Sequence, residues 1–188
     1  MELFKTKEEL LLWACKGYDD PNCVTLEFGV WSGHTIKIIR DSFSGQVYGF
    51  DSFEGLPEKW RDGFEKGHFK TESIPLVEGV EMVVGYFQDT LEDFLKNLNK
   101  KIKVIHFDAD LYSSTAYCLD LVTNHLSDNC IFIFDEYQNY PGCGEHEEKA
   151  FLEWLEKNKN FSSVRTAEVE EGVKPNGEQV AFSINKVV

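Results

Sequence analysis

Short apolar runs alternate with stretches of helical periodicity along almost the whole chain, the pattern of strands and helices packed in layers. Strands are predicted at "VTLEF" (24–28), "VYGFD" (47–51), "EMVVGYF" (81–87), "KVIHFDAD" (103–110) and "CIFIFDE" (130–136). Between them the period lengthens. A first helix over residues 6–16 opens on a Thr-x-x-Glu capping pattern, Thr6 and Glu9. A second turns Ile36, Ile39 and Phe43 inward, and a third places Leu91, Phe94, Leu95 and Leu98 at i, i+3, i+4 and i+7. Further helices are predicted over 114–125 and 147–157, the last burying Ala150, Phe151, Trp154 and Leu155.

The ending breaks this rhythm. "FSSVRTAEV" and "EQVAFSINK" both read as strands, and the "EEGVKPNG" between them leaves no room for a helix, so they pair antiparallel. The expectation is a single α/β domain over residues 1–188, Rossmann-like. Its sheet is mostly parallel with a final antiparallel strand, and helices cover both faces. Residues 1–20 supply an N-terminal helix. Residues 52–77 carry two prolines, three glycines in "EGLPEKWRDGFEKGHF" and no clean period. Loops of that length inside a compact domain are usually functional, and Trp60, Arg61, Phe64, His68 and Phe69 make this one a candidate lid or substrate loop.

Composition narrows the function. The hydrophobic fraction of 42% supports a packed core, and the net charge of −14 opposes binding to a phosphate backbone. No nucleic-acid partner is therefore expected. Five cysteines, Cys15, Cys23, Cys118, Cys130 and Cys143, show no zinc spacing and read as reduced thiols. No run approaches the 18 apolar residues of a membrane span and no signal segment is evident, so a cytoplasmic protein is expected.

In open parallel sheets ligands bind beyond the carboxyl ends of the strands. There this sequence places Glu27, Asp51, Asp108, Asp110, Asp135 and Glu136. Helix capping accounts for one or two such acids, but not for apolar strands that end in "FDAD" and "FDE". In the loop "EFGVWSGHT", the dinucleotide fingerprint G-x-G-x-x-G would need glycines where Trp31 and His34 stand. A bulky indole obstructs a pyrophosphate, while an acid at the strand end suits a cationic ligand. Asp51 is spaced to accept hydrogen bonds from a ribose diol. An adenosine with a cationic amino-acid tail and no phosphates is S-adenosylmethionine.

The series "LEFGVWSGHT", "GFDSFEGLP", "VVGYFQDTL", "IHFDADLYSST" and "FIFDEYQNYPG" resembles the class I S-adenosylmethionine-dependent methyltransferases, and within them the macrocin-type O-methyltransferases that act on sugar hydroxyls. The resemblance runs from about Val24 to Trp154. It implies a seven-stranded sheet. It implies that Glu27, Gly29 and Gly33 hold the methionine end, that Asp51 binds the ribose with Ser52 and Phe53 beside it, and that Gly85, Tyr86 and Phe87 frame the adenine. It also implies a divalent ion, Mg²⁺ or Mn²⁺, on Asp108, Asp135 and Glu136, with Asp108 close to both the cofactor and the reacting hydroxyl. Glu136 departs from the aspartate usual in that family.

The chemistry agrees, because a sugar hydroxyl is a poor match for a side-chain base alone and a bound divalent ion would acidify it. His146 is the histidine most suited to act as base or substrate contact. His106 and His125 read as structural, His34 as a loop residue beside the methionine end. The expected function is a metal-dependent O-methyltransferase with a small-molecule acceptor, homo-oligomerisation being left open. Two alternatives stand beside it: a metal-independent N- or carboxyl-methyltransferase, and a non-catalytic module that only binds S-adenosylmethionine. A nicotinamide oxidoreductase ranks last.

Overall fold

The computed structural model describes residues 1–172 and 177–187. Its elements, in chain order, are β1 (Glu2–Phe4), α1 (Lys7–Gly17), β2 (Val24–Phe28), α2 (His34–Ser42), β3 (Gln46–Asp51), β4 (Val80–Val84), α3 (Phe87–Asn97), β5 (Ile102–Phe107), α4 (Tyr112–Val122), β6 (Leu126–Phe134), α5 (Glu147–Lys157), β7 (Phe161–Val169) and β8 (Val180–Lys186). The strands form one sheet in the order β1-β7-β8-β6-β5-β2-β3-β4. All pairings are parallel except those of β8, which runs antiparallel to both β6 and β7.

The sequence pattern accounts for the layers. Along β6, Cys130, Phe132 and Phe134 pack on one face of the sheet while Ile131 and Ile133 pack on the other, the period of two that a strand imposes. The first face meets α3, α4 and α5 through Leu91, Leu95, Leu119, Phe151 and Trp154. The second meets α1 and α2 through Leu10, Ala14, Ile36 and Ile39. Across the strands the rings of Phe28, Phe107 and Phe134 stack at 5.6 and 4.9 Å between centroids, a row that keys the register of β2, β5 and β6.

Three details differ from the sequence reading. The sheet has eight strands rather than seven, because Glu2–Phe4 pairs parallel with β7. Three residues are too few to show a period. The strand expected over 81–87 ends at Val84: Gly85 leaves it at φ +142° and Phe87 already opens α3. Helix α4 starts at Tyr112, and a 3-10 turn at Thr123–His125 finishes it. The capping prediction matches the observed geometry, since Thr6 Oγ1 accepts from the Glu9 amide at 3.1 Å. The expected hairpin between β7 and β8 is present, and residues 173–176 of its loop lie outside the described residues. No helix among the described residues is long and apolar enough to cross a membrane.

Candidate functional site

The chain winds outward from β2 to β3 and β4, then returns to β5 and winds the other way to β6. The strand order therefore reverses between β2 and β5, and a crevice opens beyond their carboxyl ends. A cavity of about 570 Å³ lies there, lined from both sides of the reversal.

One side is built from backbone. Gly29 follows β2 at φ +91°, and a Cβ on it would stand 1.8 Å from the carbonyl oxygen of Asp108, so only glycine lets the loop pass β5. Trp31 (φ +46°) and Gly33 (φ +82°) continue the turn, and Gly33 heads α2. Asp51 ties this loop to β3. Its Oδ2 accepts from the amides of Val30 and Trp31, both at 2.8 Å, and its Oδ1 accepts from Phe53 at 2.7 Å. A carboxylate offers about four acceptor positions, so Asp51 keeps one for a ligand.

The other side is acidic. Strand alternation and register decide where each acid points. Glu27 and His106 are register partners on β2 and β5, and His106 Nδ1 bonds Glu27 Oε1 at 2.8 Å with both side chains fully buried. His106 Nε2 lies 3.4 Å from Asp135 Oδ1, an ion-pair separation. Lys7, reaching in from α1, donates to Asp135 Oδ2 at 2.9 Å. Four groups thus alternate from the buried Glu27 and His106 to Asp135 and Lys7 at the cavity wall, and burial raises the pKa of Glu27 itself. Burial works against charge on His106, but the facing Asp135 and Glu27 carboxylates outweigh it and push its pKa up to about 10. Burial likewise opposes the Asp135 carboxylate, yet His106 and Lys7 hold it below the usual carboxylate range.

The remaining acids lack that compensation. Burial, with Asp135 nearby, pushes Asp108 up to about 7. Burial also drives Asp110, Glu136 and Glu147 well above the ordinary carboxylate range, each repelled by its acidic neighbours. Glu147, from the first turn of α5, accepts from the Glu136 amide at 2.9 Å. Glu136 Oε2 is buried without a partner among the described residues. Carboxylate oxygens of Asp108, Asp110 and Glu136 lie within 4.8 Å of one another, as do ligand atoms of His106, Asp108 and Asp135.

Residues 52–77 lie over both sides, with Phe69 against Trp31 at 5.6 Å and Trp60 and Arg61 toward Tyr140 and Glu178. Leu56 bonds His68 at 2.8 Å and Trp60 bonds Phe64 at 3.0 Å, folding the segment back on itself. Trp60 is buried among Phe64, Tyr140 and Leu111. The Arg61 guanidinium sits 3.9 Å from the centroid of Trp60 and 4.6 Å from that of Tyr140, and 3.8 Å from Glu178.

Of the cofactor positions expected from the sequence, Gly29, Asp51, Ser52, Phe87 and Asp108 line the cavity. Glu27 lies buried beneath it, Phe53 is packed in the core, and Gly33 and Gly85 shape the adjoining turns. Asp108, Asp135 and Glu136 all reach the cavity, with Asp110 joining them. His146 is not among the lining residues. It caps α5 with its ring 6.3 Å from Trp60 and 6.4 Å from Tyr140, inside the loop cluster. Lys7 is not legible in the sequence, because a lysine in a helical first turn reads as a solvated charge. His106 is buried as the sequence suggests, but its two acidic partners become visible only with the strands in register.

Comparison with known proteins bears on this geometry. A sequence profile described as a methyltransferase domain matches residues 26–137. No curated protein sequence matches the chain. Among solved structures, CalS11, a calicheamicin methyltransferase also described as a TDP-rhamnose 3'-O-methyltransferase, superposes with a TM-score of 0.70 at 18% identity, covering 94% of this chain and 76% of its own. An O-methyltransferase from Bacillus cereus in complex with SAH gives 0.66 at 14%, covering 96% and 80%. A structure designated an rRNA-methylase, from Clostridium thermocellum, gives 0.61 at 17%, covering 98% of each chain.

Proposed function

The chain belongs to the methyltransferase-domain family, and from that premise we propose that it transfers the methyl group of S-adenosylmethionine to a hydroxyl of a sugar or similar small polar molecule. The observation that carries this reading is the meeting of two unlike surfaces in one cavity. A glycine-bearing loop tied down by Asp51 faces a cluster formed by Asp108, Asp110, Asp135 and Glu136. The volume of about 570 Å³ falls within the usual range for small-molecule sites.

Each residue then has a task. Glu27 Oε2, buried without a partner among the described residues, takes the methionine ammonium. Gly33 heads α2, whose first amides suit the methionine carboxylate. Asp51 uses its remaining acceptor position for the ribose, beside Ser52. Phe53 and Gly85 shape the flanking turns, and Phe87 with Tyr86 borders the adenine. Asp108 stands between the two surfaces, closest to where the hydroxyl must sit. Methyl transfer is an in-line displacement, so this shared position serves alignment as well as binding. His146, which does not line the cavity, would act on the acceptor only indirectly, by supporting Trp60 and Tyr140 in the loop cluster.

The donor set fits a hard divalent ion. It is all oxygen at Asp108, Asp110 and Glu136, with Asp110 and Glu136 buried and Asp108 half-buried, and Glu136 Oε2 has no other partner among the described residues. Mg²⁺ or Mn²⁺ would be held by Asp108 and Glu136, with Asp135 supplied by the family pattern and Asp110 by the geometry. When bound, such an ion would lower the pKa of the hydroxyl and fix its orientation. The acceptor is a small molecule rather than RNA, because a net charge of −14 repels a phosphate backbone.

The test is transfer of a labelled methyl group to a panel of sugars and other small hydroxyl acceptors, with Mg²⁺ or with EDTA. Metal-dependent labelling of a hydroxyl is expected. Full activity in EDTA on an amine or carboxyl acceptor would favour the metal-independent alternative. Binding of S-adenosylhomocysteine without turnover on any acceptor would favour a non-catalytic module.

A further inference from the structure

The proposed reaction uses the acids at the sheet edge but gives no task to Lys7. Its position is costly in two ways. Lys7 stands in the first turn of α1, where the helix dipole disfavours positive charge. Its side chain is also three-quarters buried, 25% exposed, against an Asp135 side chain that is 4% exposed, and burying a charge is expensive unless it is paired. The pairing is with Asp135, at 2.9 Å. Asp135 is engaged on its other oxygen as well, by His106. Both its oxygens therefore face cations, whereas Glu136 Oε2 next to it has no partner among the described residues.

Among the described residues, the cavity lining holds the carboxylates of Asp108, Asp110, Asp135 and Glu136 beyond β5 and β6, and a single ammonium, that of Lys7. Two demands fall on Asp135. One comes from Lys7, and the other from the divalent ion that Asp108 and Glu136 would share. An ammonium and a divalent ion drawn to the same largely buried carboxylate repel each other.

We propose that Lys7 is a built-in counter-cation that competes with the divalent ion for Asp135, holding that carboxylate in place until the ion arrives and limiting how tightly the ion binds. The inference rests on the metal site argued under the proposed function. Lys7 acts through Asp135 and is a positioning residue. α1 thereby becomes part of the site, since its N-terminus carries the competing charge.

The experiment is calorimetric titration of Mn²⁺ alone into the purified full chain. Wild type is compared with Lys7→Met, which removes both charge and hydrogen bond, and with Lys7→Gln, which removes the charge but can still donate to Asp135. Circular dichroism and thermal melting in EDTA verify that each variant folds. Both variants should bind Mn²⁺ more tightly than wild type, by about tenfold or more. In EDTA, Lys7→Met should melt below wild type, and saturating Mn²⁺ should recover the difference. A purely structural lysine would lower the melting temperature without tightening ion binding. Equal or weaker Mn²⁺ affinity in both variants, with wild type still binding, would overturn the competition and leave the metal site standing. Failure of wild type and both variants to bind Mn²⁺ would remove the metal site itself, and the competition with it.

Discussion

The two sides of the cavity are built by different means. The side that the proposed function assigns to the cofactor is made of strand ends and backbone. Asp51 accepts two amide hydrogen bonds that fix the loop after β2 and a third from Phe53 in the segment after β3, and Gly29 has no room for a side chain against β5. Next to the acidic wall, and outside the cavity lining, lies a cluster made of side chains from distant segments, which the proposed function assigns to the acceptor. Trp60 and Arg61 of the long loop meet Tyr140 and His146, and Arg61 meets Glu178 at the approach to β8. Sheet register sets the first kind of surface, so it tolerates little change. Loop packing sets the second, which can be rebuilt for a different acceptor without disturbing the fold. A common cofactor with variable substrates needs that division.

The two sides meet at Asp108. Asp108→Asn should lower kcat by roughly 10²- to 10³-fold, the scale of losing a preorganised electrostatic group at the reacting centre, while the protein still folds. Steady-state methyl transfer measures it. A variant with near wild-type kcat would show that the acid cluster is not where the chemistry occurs.

Two substitutions sharpen the contrast between the sides. Asp51→Asn removes a charged acceptor from the loop and from the ribose. It should weaken S-adenosylhomocysteine binding by roughly 1.5–3 kcal/mol, about ten- to 150-fold, as read by calorimetry. Arg61→Ala should do the reverse. It should raise the KM for the acceptor while S-adenosylhomocysteine affinity stays within a factor of a few, and remove a stacking contribution of up to about 2 kcal/mol seen in thermal melts. If Arg61→Ala weakened cofactor binding as much as Asp51→Asn, the two sides would not be separable. His146→Ala belongs with Arg61→Ala: a higher acceptor KM is expected, with little change in cofactor affinity.

The same division explains what the sequence reveals and what it hides. Strand ends carry their chemistry in local order, so "FDAD", "FDE" and the loop after Glu27 display the acids and glycines directly. Asp110 is visible as a strand-end acid, but its approach to Asp108 and Glu136 depends on its left-handed backbone, φ +59°, which no periodicity encodes. His106 looks like one more core position on an apolar strand. Its role as a bridge between Glu27 and Asp135 needs three strands in register. Lys7 is the least legible, because the partner it reaches is 128 residues away in the chain. The edge strand Glu2–Phe4 is hidden for a related reason, having no pattern of its own and existing only through β7.

The smallest expected effect is at the cap of the helix that carries Lys7. Thr6→Ala removes the N-cap of α1 and should cost about 1 kcal/mol, a drop of about 2–4 °C in melting temperature for a chain of this size. Because α1 carries Lys7 to Asp135, that drop should be larger in EDTA than with saturating Mn²⁺.

The most direct test of the account is titration of S-adenosylhomocysteine into the purified protein, followed calorimetrically in wild type and in Asp51→Asn. The account predicts one site per chain in wild type and a marked weakening in the variant. Absence of binding to wild type would contradict the methyl-transfer reading and leave the acidic edge as a cation site on a methyltransferase fold.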